Sequence, residues 1–480
     1  MRLTPAFLSD ADRDRVHRES LRILADVGVR FHGDRALPLL ETAGARVDAT
    51  TGIARIPAGL VADALAIAPR TFVLGARNPE HDLAVPSPVT RFAIDGTASF
   101  VTDFGTGERR YGTTRDITDA LRVFQRIDVG VMAWAPTCAS DAPSPSRAVH
   151  EFLAMAAACS KHGQHELHST AQVPYLEAGL TAIAGSEAAL RDRHPYSLIY
   201  CPVAPLTHDG EMLDAYLTLG RLDLPVMIMP MPVAGSTGPA ALFANVCLAN
   251  AEVLSAIVVF QLAHPGRPLV YSSATGTMDF RTGAFLGGTA EMGLMSAALT
   301  EMGRHYGLPA TSAGCTSDAR EPGAQAVFEK LVTTLPPVLA GADIVVGLGE
   351  IEGDQNLVLE QLLVDAEIAR VCERIARGVD AEVDEAFFGD IDEVGPGGHF
   401  LGQRTTRAAA RGDEFLVPSL APRLARDAWL DLGRPSMYAA AREQVREILS
   451  GPMVDPLPDA TVDDLGRILA TADRELADAG

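Results

Sequence analysis

Three histidines lie close together in the chain, at positions 162, 165 and 168. Histidine nitrogens are common zinc ligands, and three of them could hold a catalytic zinc ion. On a strand, however, residues 165 and 168 face opposite sides, and no carboxylate or cysteine completes a familiar zinc pattern. We therefore interpret the three as polar loop or barrel-mouth residues, with zinc binding as the alternative. His168, at the end of the predicted strand, is the one we expect to reach a substrate.

Other motifs of enzyme chemistry are weak or missing. Gly347, Gly349 and Gly353 follow a predicted strand, but their GxGxxxG spacing departs from the dinucleotide fingerprint and predicts a tight loop. The sequence has no GxSxG elbow, P-loop, HExxH helix or kinase motif set, so serine hydrolysis and phosphoryl transfer have no support. The 6 cysteines form no CxxC pair, which is typical of reduced thiols.

The elements that must position any site alternate regularly after about residue 91. Short apolar runs rich in Val, Ile and aromatic residues alternate with longer segments of helical periodicity, which is typical of parallel βα units. The predicted strands are 92–101, 129–136, 165–170, 197–203, 225–230, 268–274, 309–315 and 343–348. Eight βα units favour an α/β fold of the closed (β/α)8 TIM-barrel type over an open sheet.

The chain outside this series divides into two further parts. For residues 1–90 the sequence pattern predicts an N-terminal α+β layer. Its helices are expected over 10–27, over 34–43 and from Ala58, and its hairpin over 45–56. Residues 91–378 then form the barrel, and residues 379–480 a helical C-terminal extension packed on it. The apolar segment 239–266 is interrupted by Asn245, Asn250 and Glu252, so we interpret it as a buried helix rather than a membrane span.

In a TIM barrel the chemistry lies on the loops that follow the strands. Five such loops carry most of the polar side chains: 204–211, 231–239, 272–283, 314–325 and 347–355. The candidates on them are Glu211, Ser236, Thr237, Asp279, Arg281, Ser317, Asp318, Arg320, Glu321 and Glu350. Each alone is typical of a loop cap or a solvated charge, and only their convergence on one face argues for a site.

Charge and composition exclude several function classes. The chain has 480 residues, 47% of them hydrophobic, which is enough for a large core and excludes a disordered protein. Its formal charge of −22 disfavours contact with nucleic acid or an anionic membrane. The N-terminal residues include acids and no apolar stretch like that of a signal peptide, so we expect a cytoplasmic protein.

Several segments occur in one order along almost the whole chain. They include ILADVGVRF, ETAGARVD, PVAGSTGPA, QLAHPGRPLVYSS, MDFRTGAFLGGTAEM, GCTSDAREPGAQAVFEK, LAGADIVVGLGEIEG and GPGGHFLG. Together they resemble the trimethylamine methyltransferase family, the corrinoid-dependent methyltransferases that include glycine betaine methyltransferases. The resemblance implies a (β/α)8 barrel, in agreement with the strand count.

The resemblance also narrows the substrate. One branch of that family uses pyrrolysine to demethylate trimethylamine, whereas loop 316–321, where pyrrolysine would be expected, holds only standard residues here. A quaternary amine releases a neutral tertiary amine when it loses a methyl group and needs no such activation. The chain also has Thr405-Thr406 where the family has a His-Thr pair. If that histidine contributes to substrate choice, the specificity of this chain differs from that of its relatives.

The implied reaction moves a methyl group from glycine betaine or a related betaine to the cobalt(I) of a separate corrinoid (cobalamin) protein. We expect no metal or cofactor bound tightly in this chain, and a homo-oligomer is compatible with the sequence. A trimethylammonium group would be held by aromatic and acidic side chains, and its carboxylate by cationic or hydroxyl donors. The candidates are Tyr200, Tyr271, Phe280 and Phe400 for the aromatic walls, Glu211, Asp279 and Glu350 for the acids, Arg281, Arg320, Ser236 and Thr237 for the donors, and His168. A quaternary-amine sensor without catalysis and a zinc-dependent barrel methyltransferase are the alternatives.

Overall fold

The computed structural model describes residues 5–380 and 383–477 of the chain, and a barrel of parallel strands lies at their centre. The strands are β1 (Arg91–Ile94), β2 (Gly130–Trp134), β3 (His162–His165), β4 (Tyr196–Tyr200), β5 (Val226–Ile228), β6 (Leu269–Tyr271), β7 (Thr311–Ala313) and β8 (Ile344–Leu348). Their order in the sheet is β6-β5-β4-β3-β2-β1-β8-β7, and a parallel bridge from Tyr271 to Ala310 closes the barrel. The TIM-type fold predicted from the sequence is confirmed.

A helix follows each strand and packs on the outside of the barrel. These helices are α1 (Thr114–Gln125), α2 (Arg147–Ala158), α3 (Val173–Ala184), α4 (Gly210–Leu219), α5 (Leu242–Ala263), α6 (Ala290–His305), α7 (Ala324–Ala340) and α8 (Leu359–Arg377), with a short extra helix at Glu187–Arg193. Helix α1 begins at a capping box, in which Thr113 and Asp116 bond each other's backbone amides. Met292, Met295 and Met302 on α6 are buried, so this methionine stripe is core packing, as its spacing predicts.

Helix α5 is buried on nearly all sides. Among the described residues it is the one helix whose length and composition would allow it to cross a membrane, and 83% of its most apolar stretch is buried inside the protein. The N-terminal layer covers its outer face. This arrangement is that of the buried helix that the sequence predicts for segment 239–266.

The N-terminal layer contains the predicted elements and one strand more. Its helices are Asp10–Arg22, Ala36–Thr42 and Ala58–Ile67, and its hairpin strands are Arg46–Asp48 and Ile53–Arg55. An additional strand, Val29–Phe31, joins this hairpin to Thr207–His208 in the loop after β4. A separate two-stranded sheet, Phe72–Leu74 with Leu83–Val85, connects the layer to β1.

Two small sheets hold the loops at the carboxyl ends of the barrel strands. One contains Phe100–Thr102 and Arg109–Tyr111 after β1 with Glu350–Ile351 and Asn356–Leu357 after β8. The other contains Val233–Ala234 after β5 with Gly276–Met278 and Phe285–Leu286 after β6. They give the mouth of the barrel a rigid rim.

The C-terminal part is helical, as predicted, but only its last two helices pack closely on the barrel. Met437–Ser450 contacts α8 and α1, and Asp459–Ala477 contacts α3. The three preceding helices, Glu385–Val394, Arg404–Arg411 and Arg426–Asp431, contain no buried residue. The boundaries of the three predicted domains stay a prediction.

Two predicted strands end in the wrong place. Strand β1 stops at Ile94 rather than residue 101, because the apolar residues that follow turn away and pair in the small sheet at the rim. Strand β3 covers His162–His165 rather than 165–170. Its sequence is polar, yet His162 and Gln164 are buried, so hydrophobic periodicity could not locate it.

Candidate active site at the mouth of the barrel

An acidic side chain, Glu166, lies at the inner wall of the mouth, directly after β3. Trp134, the last residue of β2, donates its indole N–H to Glu166 Oε2 at 3.2 Å. Thr97 Oγ1 donates to Glu166 Oε1 at 3.4 Å. The Glu166 side chain is 18% exposed, and no lysine or arginine forms a salt bridge with it among the described residues. A carboxylate with neutral donors on an aromatic face is a suitable partner for a cation.

His165 supports this carboxylate from the side of α2. Its Nε2 lies 3.2 Å from Glu151 Oε2, and its Nδ1 lies 3.6 Å from Glu166 Oε2. Burial lowers the pKa of His165, but the two carboxylates outweigh burial and leave the pKa above its ordinary value. The other oxygen of Glu151 accepts the Ala139 amide at 2.8 Å. Trp134 Nε1 also lies 3.1 Å from His165 Nδ1, so the histidine, the indole and the two carboxylates form one network at the end of β3.

Three more carboxylates, which we call the acidic cluster, lie at the ends of β1 and β8. They belong to Asp95, Glu350 and Asp354, and one oxygen of each lies within 4.8 Å of the others. Burial raises the pKa of Asp95 to about 6. Burial and the nearby Asp95 and Asp354 raise the pKa of Glu350 well above its usual range. Along the chain, only Gly96 separates Asp95 from Thr97, which bonds Glu166.

A buried ion pair holds the acidic cluster from behind. Lys330 on α7 donates to Asp365 Oδ2 on α8 at 2.9 Å and to the carbonyls of Cys315 and Gly347 at 2.5 and 3.1 Å. Both charged side chains are 0% exposed. Asp365 also accepts the Gly349 amide at 2.8 Å. The pair therefore ties the loops after β7 and β8 to the outer helices and fixes where Glu350 lies.

Four of the residues predicted to contact substrate lie on the rim. Ser236 and Thr237 occupy the turn after Val233–Ala234, and Thr237 Oγ1 accepts the Val233 amide at 2.9 Å. Asp279 and Arg281 occupy the turn of the hairpin after β6, where Asp279 accepts the Arg281 amide at 2.9 Å. The Arg281 side chain is 91% exposed. The polar groups of these residues mainly close their own turns.

Other predicted contact residues lie apart from Glu350. Glu211 is exposed in the first turn of α4, next to the N-terminal layer. His168 is exposed after β3, and Phe400 is 44% exposed in the C-terminal part. Arg320 is 73% exposed and lies 3.9 Å from Glu352 in the loop after β8. Of the predicted polar contact residues, the structure places only Glu350 deep in the mouth.

The aromatic residues predicted as pocket walls have other surroundings. Tyr271 and Tyr200 point to the helix side of their strands, where their hydroxyls bond Asn250 Oδ1 at 2.9 Å and His208 Nδ1 at 2.7 Å. Phe280 is 72% exposed on the rim. Trp134 supplies the aromatic surface beside Glu166 instead.

The three histidines do not converge. His162 Nδ1 lies 2.7 Å from the Gly75 carbonyl and its Nε2 lies 2.8 Å from Ser197 Oγ, deep inside the barrel. Burial lowers the pKa of His162 to about 4. His165 lies between carboxylates, and His168 is exposed on the loop that follows. This geometry gives no support to the alternative of a histidine zinc site.

The functional candidates missed in the sequence are Trp134, Glu166, Asp95 and Asp354. Trp134 ends a strand, Asp95 and Glu166 each follow one directly, and Asp354 lies in the loop 347–355 already singled out. The first three fell inside predicted strands that extended too far, so they were never treated as loop residues. A search confined to the predicted strand ends would also have missed Asp95, which lies well before the predicted end of its strand at residue 101.

Comparison with known proteins assigns the family. The family model of trimethylamine methyltransferase (MTTB) matches residues 3–477. A trimethylamine methyltransferase of Methanosarcina mazei is 30% identical over 96% of this chain and 93% of its own, and a glycine betaine methyltransferase of Desulfitobacterium hafniense is 27% identical over 94% and 95%. The crystal structure of the Methanosarcina barkeri monomethylamine methyltransferase covers 99% of this chain and 89% of its own, with a TM-score of 0.52 at 12% identity, and so supports the fold. The chain, with its acidic barrel mouth, therefore belongs to the trimethylamine methyltransferase family.

Proposed function

We propose that this protein transfers a methyl group from a quaternary amine, glycine betaine or a related betaine, to the cobalt(I) of a separate corrinoid protein. The observation that carries the proposal is the Glu166 carboxylate, which faces the mouth beside the Trp134 ring with no lysine or arginine to neutralise it. An anion next to an aromatic face favours a trimethylammonium group over neutral ligands of the same shape. The name of the glycine betaine methyltransferase relative supports the same substrate class.

The loop 316–321 supports a quaternary substrate over trimethylamine. It contains standard residues, and the side chains of Ser317 and Asp318 are engaged within the protein. Asp318 accepts the amides of Gly287 and Gly288, both at 2.9 Å, and Ser317 Oγ donates to Glu329 at 2.7 Å. Its exposed charged side chains are Arg320 and Glu321. A quaternary nitrogen needs no activating group, because the C–N electron pair stays on nitrogen when the methyl group leaves and the product amine is neutral.

The protein's part in this reaction is to bind and orient the cation. Glu166 and Trp134 would hold the ammonium group, with one methyl group directed out of the mouth towards the cobalt of the partner, which supplies the attacking electron pair. The carboxylate of a betaine would extend to the rim, where Arg320, Arg281 and the hydroxyls of Ser236 and Thr237 are the proposed donors. An open mouth is required because the corrinoid belongs to another protein.

Thermal melting with a ligand panel tests the binding step. We expect glycine betaine, proline betaine or carnitine to raise the melting temperature, because a ligand at about 100 times its Kd adds about 2.7 kcal/mol to stability. The matched control is 3,3-dimethylbutanoate, which replaces the nitrogen of glycine betaine by carbon and so removes only the positive charge. We expect no shift with this control or with trimethylamine. Equal shifts with 3,3-dimethylbutanoate would contradict the proposal. So would the absence of a shift with every quaternary amine at ~10 mM, which is about 100 times a Kd of 0.1 mM.

A further inference from the structure

The acidic cluster lacks the hydrogen bonds that buried carboxylates normally have. Glu350 is 0% exposed, yet neither of its carboxylate oxygens has a hydrogen-bond partner among the described residues. The nearby amide of Ala98 donates to the Pro136 carbonyl at 3.3 Å. Asp354 Oδ1 is also buried without a partner. A buried carboxylate in this condition is costly unless a cation or a donor meets it.

The protein's own cation is already engaged. Lys330 makes its hydrogen bonds to Asp365 and to the carbonyls of Cys315 and Gly347, and none to the cluster. The charge of Lys330 acts on all three acids of the cluster from behind. Three carboxyl groups therefore converge on one point where the lysine makes no hydrogen bond to them.

The spacing of the oxygens suits one small cation. The three ligand oxygens lie within 4.8 Å of one another. A divalent cation that is held by oxygens at about 2.0–2.6 Å brings its ligands this close together. A methyl group alone contacts oxygen at about 3.3–3.6 Å, so a trimethylammonium group cannot enter between these oxygens. The cluster therefore fits a divalent cation better than the substrate proposed above.

From this geometry we infer that Asp95, Glu350 and Asp354 form a binding site for a divalent cation that takes oxygen ligands, such as Ca²⁺ or Mg²⁺. From the sequence we expect no metal bound in this chain. The sequence does not reveal this site because the ligands come from the ends of two strands that are distant in sequence. Asp95 belongs to the end of β1, whereas Glu350 and Asp354 belong to the loop after β8. Asp354 is partly exposed and provides the side from which an ion and its remaining water ligands enter.

Such an ion would join the two sides of the seam between β1 and β8. The segment from Asp95 to Thr97 leads directly to the hydrogen bond that Thr97 makes with Glu166. Fixing Asp95 would therefore also fix one of the two donors that orient Glu166. The inference concerns cation binding and does not depend on the methyl donor, so it can fail or succeed independently of the proposed function.

The inference is tested by calorimetric titration of the protein with CaCl₂ and with MgCl₂, after treatment with EDTA and dialysis. The buffer contains about 0.15 M KCl, because this salt screens weak binding at the surface. We expect one saturable site per chain for at least one of the two ions. Glu350→Gln should weaken Ca²⁺ binding by at least ~30-fold, which corresponds to about 2 kcal/mol. Asp354→Asn, at a partly exposed position, serves as the second variant. The matched control is Glu41→Gln, the same chemical change on an exposed helix of the N-terminal layer.

The melting temperature of the metal-free proteins gives a second readout. Glu350→Gln replaces a carboxyl ligand by a neutral amide, so we expect the melting temperature of this variant to gain nothing from added CaCl₂. The control Glu41→Gln should behave as wild type in both measurements. The inference is overturned if the wild type shows no saturable site for either metal. It is also overturned if Glu350→Gln and Asp354→Asn bind Ca²⁺ as tightly as Glu41→Gln does, because equal binding would indicate surface binding only.

Discussion

Lys330→Met should lower the free energy of unfolding by about 3–5 kcal/mol, because it leaves Asp365 as a buried charge without its partner. Burial lowers the pKa of Lys330, but the Asp365 carboxylate outweighs burial and leaves the lysine pKa above its ordinary value. The lysine is therefore charged at neutral pH. Methionine fills a similar volume but provides no donor for Asp365 or for the two loop carbonyls that Lys330 bonds. The denaturant midpoint and the melting temperature measure the loss.

The double variant Lys330→Met/Asp365→Leu separates the lost pair from lost packing. If the destabilisation comes from the unpaired carboxylate, the second substitution should restore part of the stability, because replacing both members of a buried ion pair by apolar residues is often close to neutral. A single variant as stable as wild type would show that Asp365 is not an ionised partner of Lys330. A double variant less stable than the single one would show that Asp365 stabilises the fold through its other contacts, the Gly349 amide and the Gln361 side chain.

Glu166→Gln should raise the KM for a quaternary amine about 10–100-fold and change kcat little. A carboxylate about 5 Å from a cation, at an effective dielectric constant of about 20, contributes about 3 kcal/mol of attraction. We expect less than the full amount because Glu166 is 18% exposed. The nitrogen loses its positive charge as the methyl group leaves, so the attraction is greater in the bound substrate than in the transition state. The effect should therefore fall on binding.

Steady-state kinetics with methyl donor and corrinoid acceptor measure this split between KM and kcat. Glu41→Gln, which makes the same chemical change far from the mouth, should leave both constants unchanged. Trp134 and Thr97 donate to different oxygens of Glu166, so the single carbonyl oxygen of glutamine can accept only one of these two hydrogen bonds. The variant therefore removes the charge and one hydrogen bond but keeps the shape. A fall in kcat at constant KM would mean that Glu166 acts on the transition state and not on the bound cation.

The fold was predictable because the barrel core is mostly apolar and periodic. Strands such as β5 and β8 are runs of Val, Ile and Met between helical segments, and these runs gave all eight strands in the right order. The exceptions have local causes. The polar strand His162–His165 stabilises its side chains by hydrogen bonds, which leave no hydrophobic pattern, and the end of β1 is hidden because the residues after it form another sheet.

The site was less predictable because it depends on where strands end to within two residues. Glu350 was found since its strand, β8, ended where predicted. Asp95 and Glu166 were missed since the predicted strands ran through them, and a side chain assigned to a strand interior is not examined for contact with substrate. The rim residues Thr237 and Asp279 lie on the predicted loops, but their oxygens close the turns of those loops, a role that composition cannot distinguish from ligand binding.

Methyl transfer from glycine betaine to free cob(I)alamin is the measurement that tests the central claim most directly. The purified protein is incubated anaerobically with cob(I)alamin and either glycine betaine or trimethylamine, and methylcobalamin is followed by absorbance while the amine product is quantified. The account predicts methylcobalamin and dimethylglycine in equal amounts from glycine betaine, or the corresponding pair from proline betaine or carnitine, and no product from trimethylamine. Methylation from trimethylamine with none from the quaternary amines, or no methylation from any of them, would contradict it.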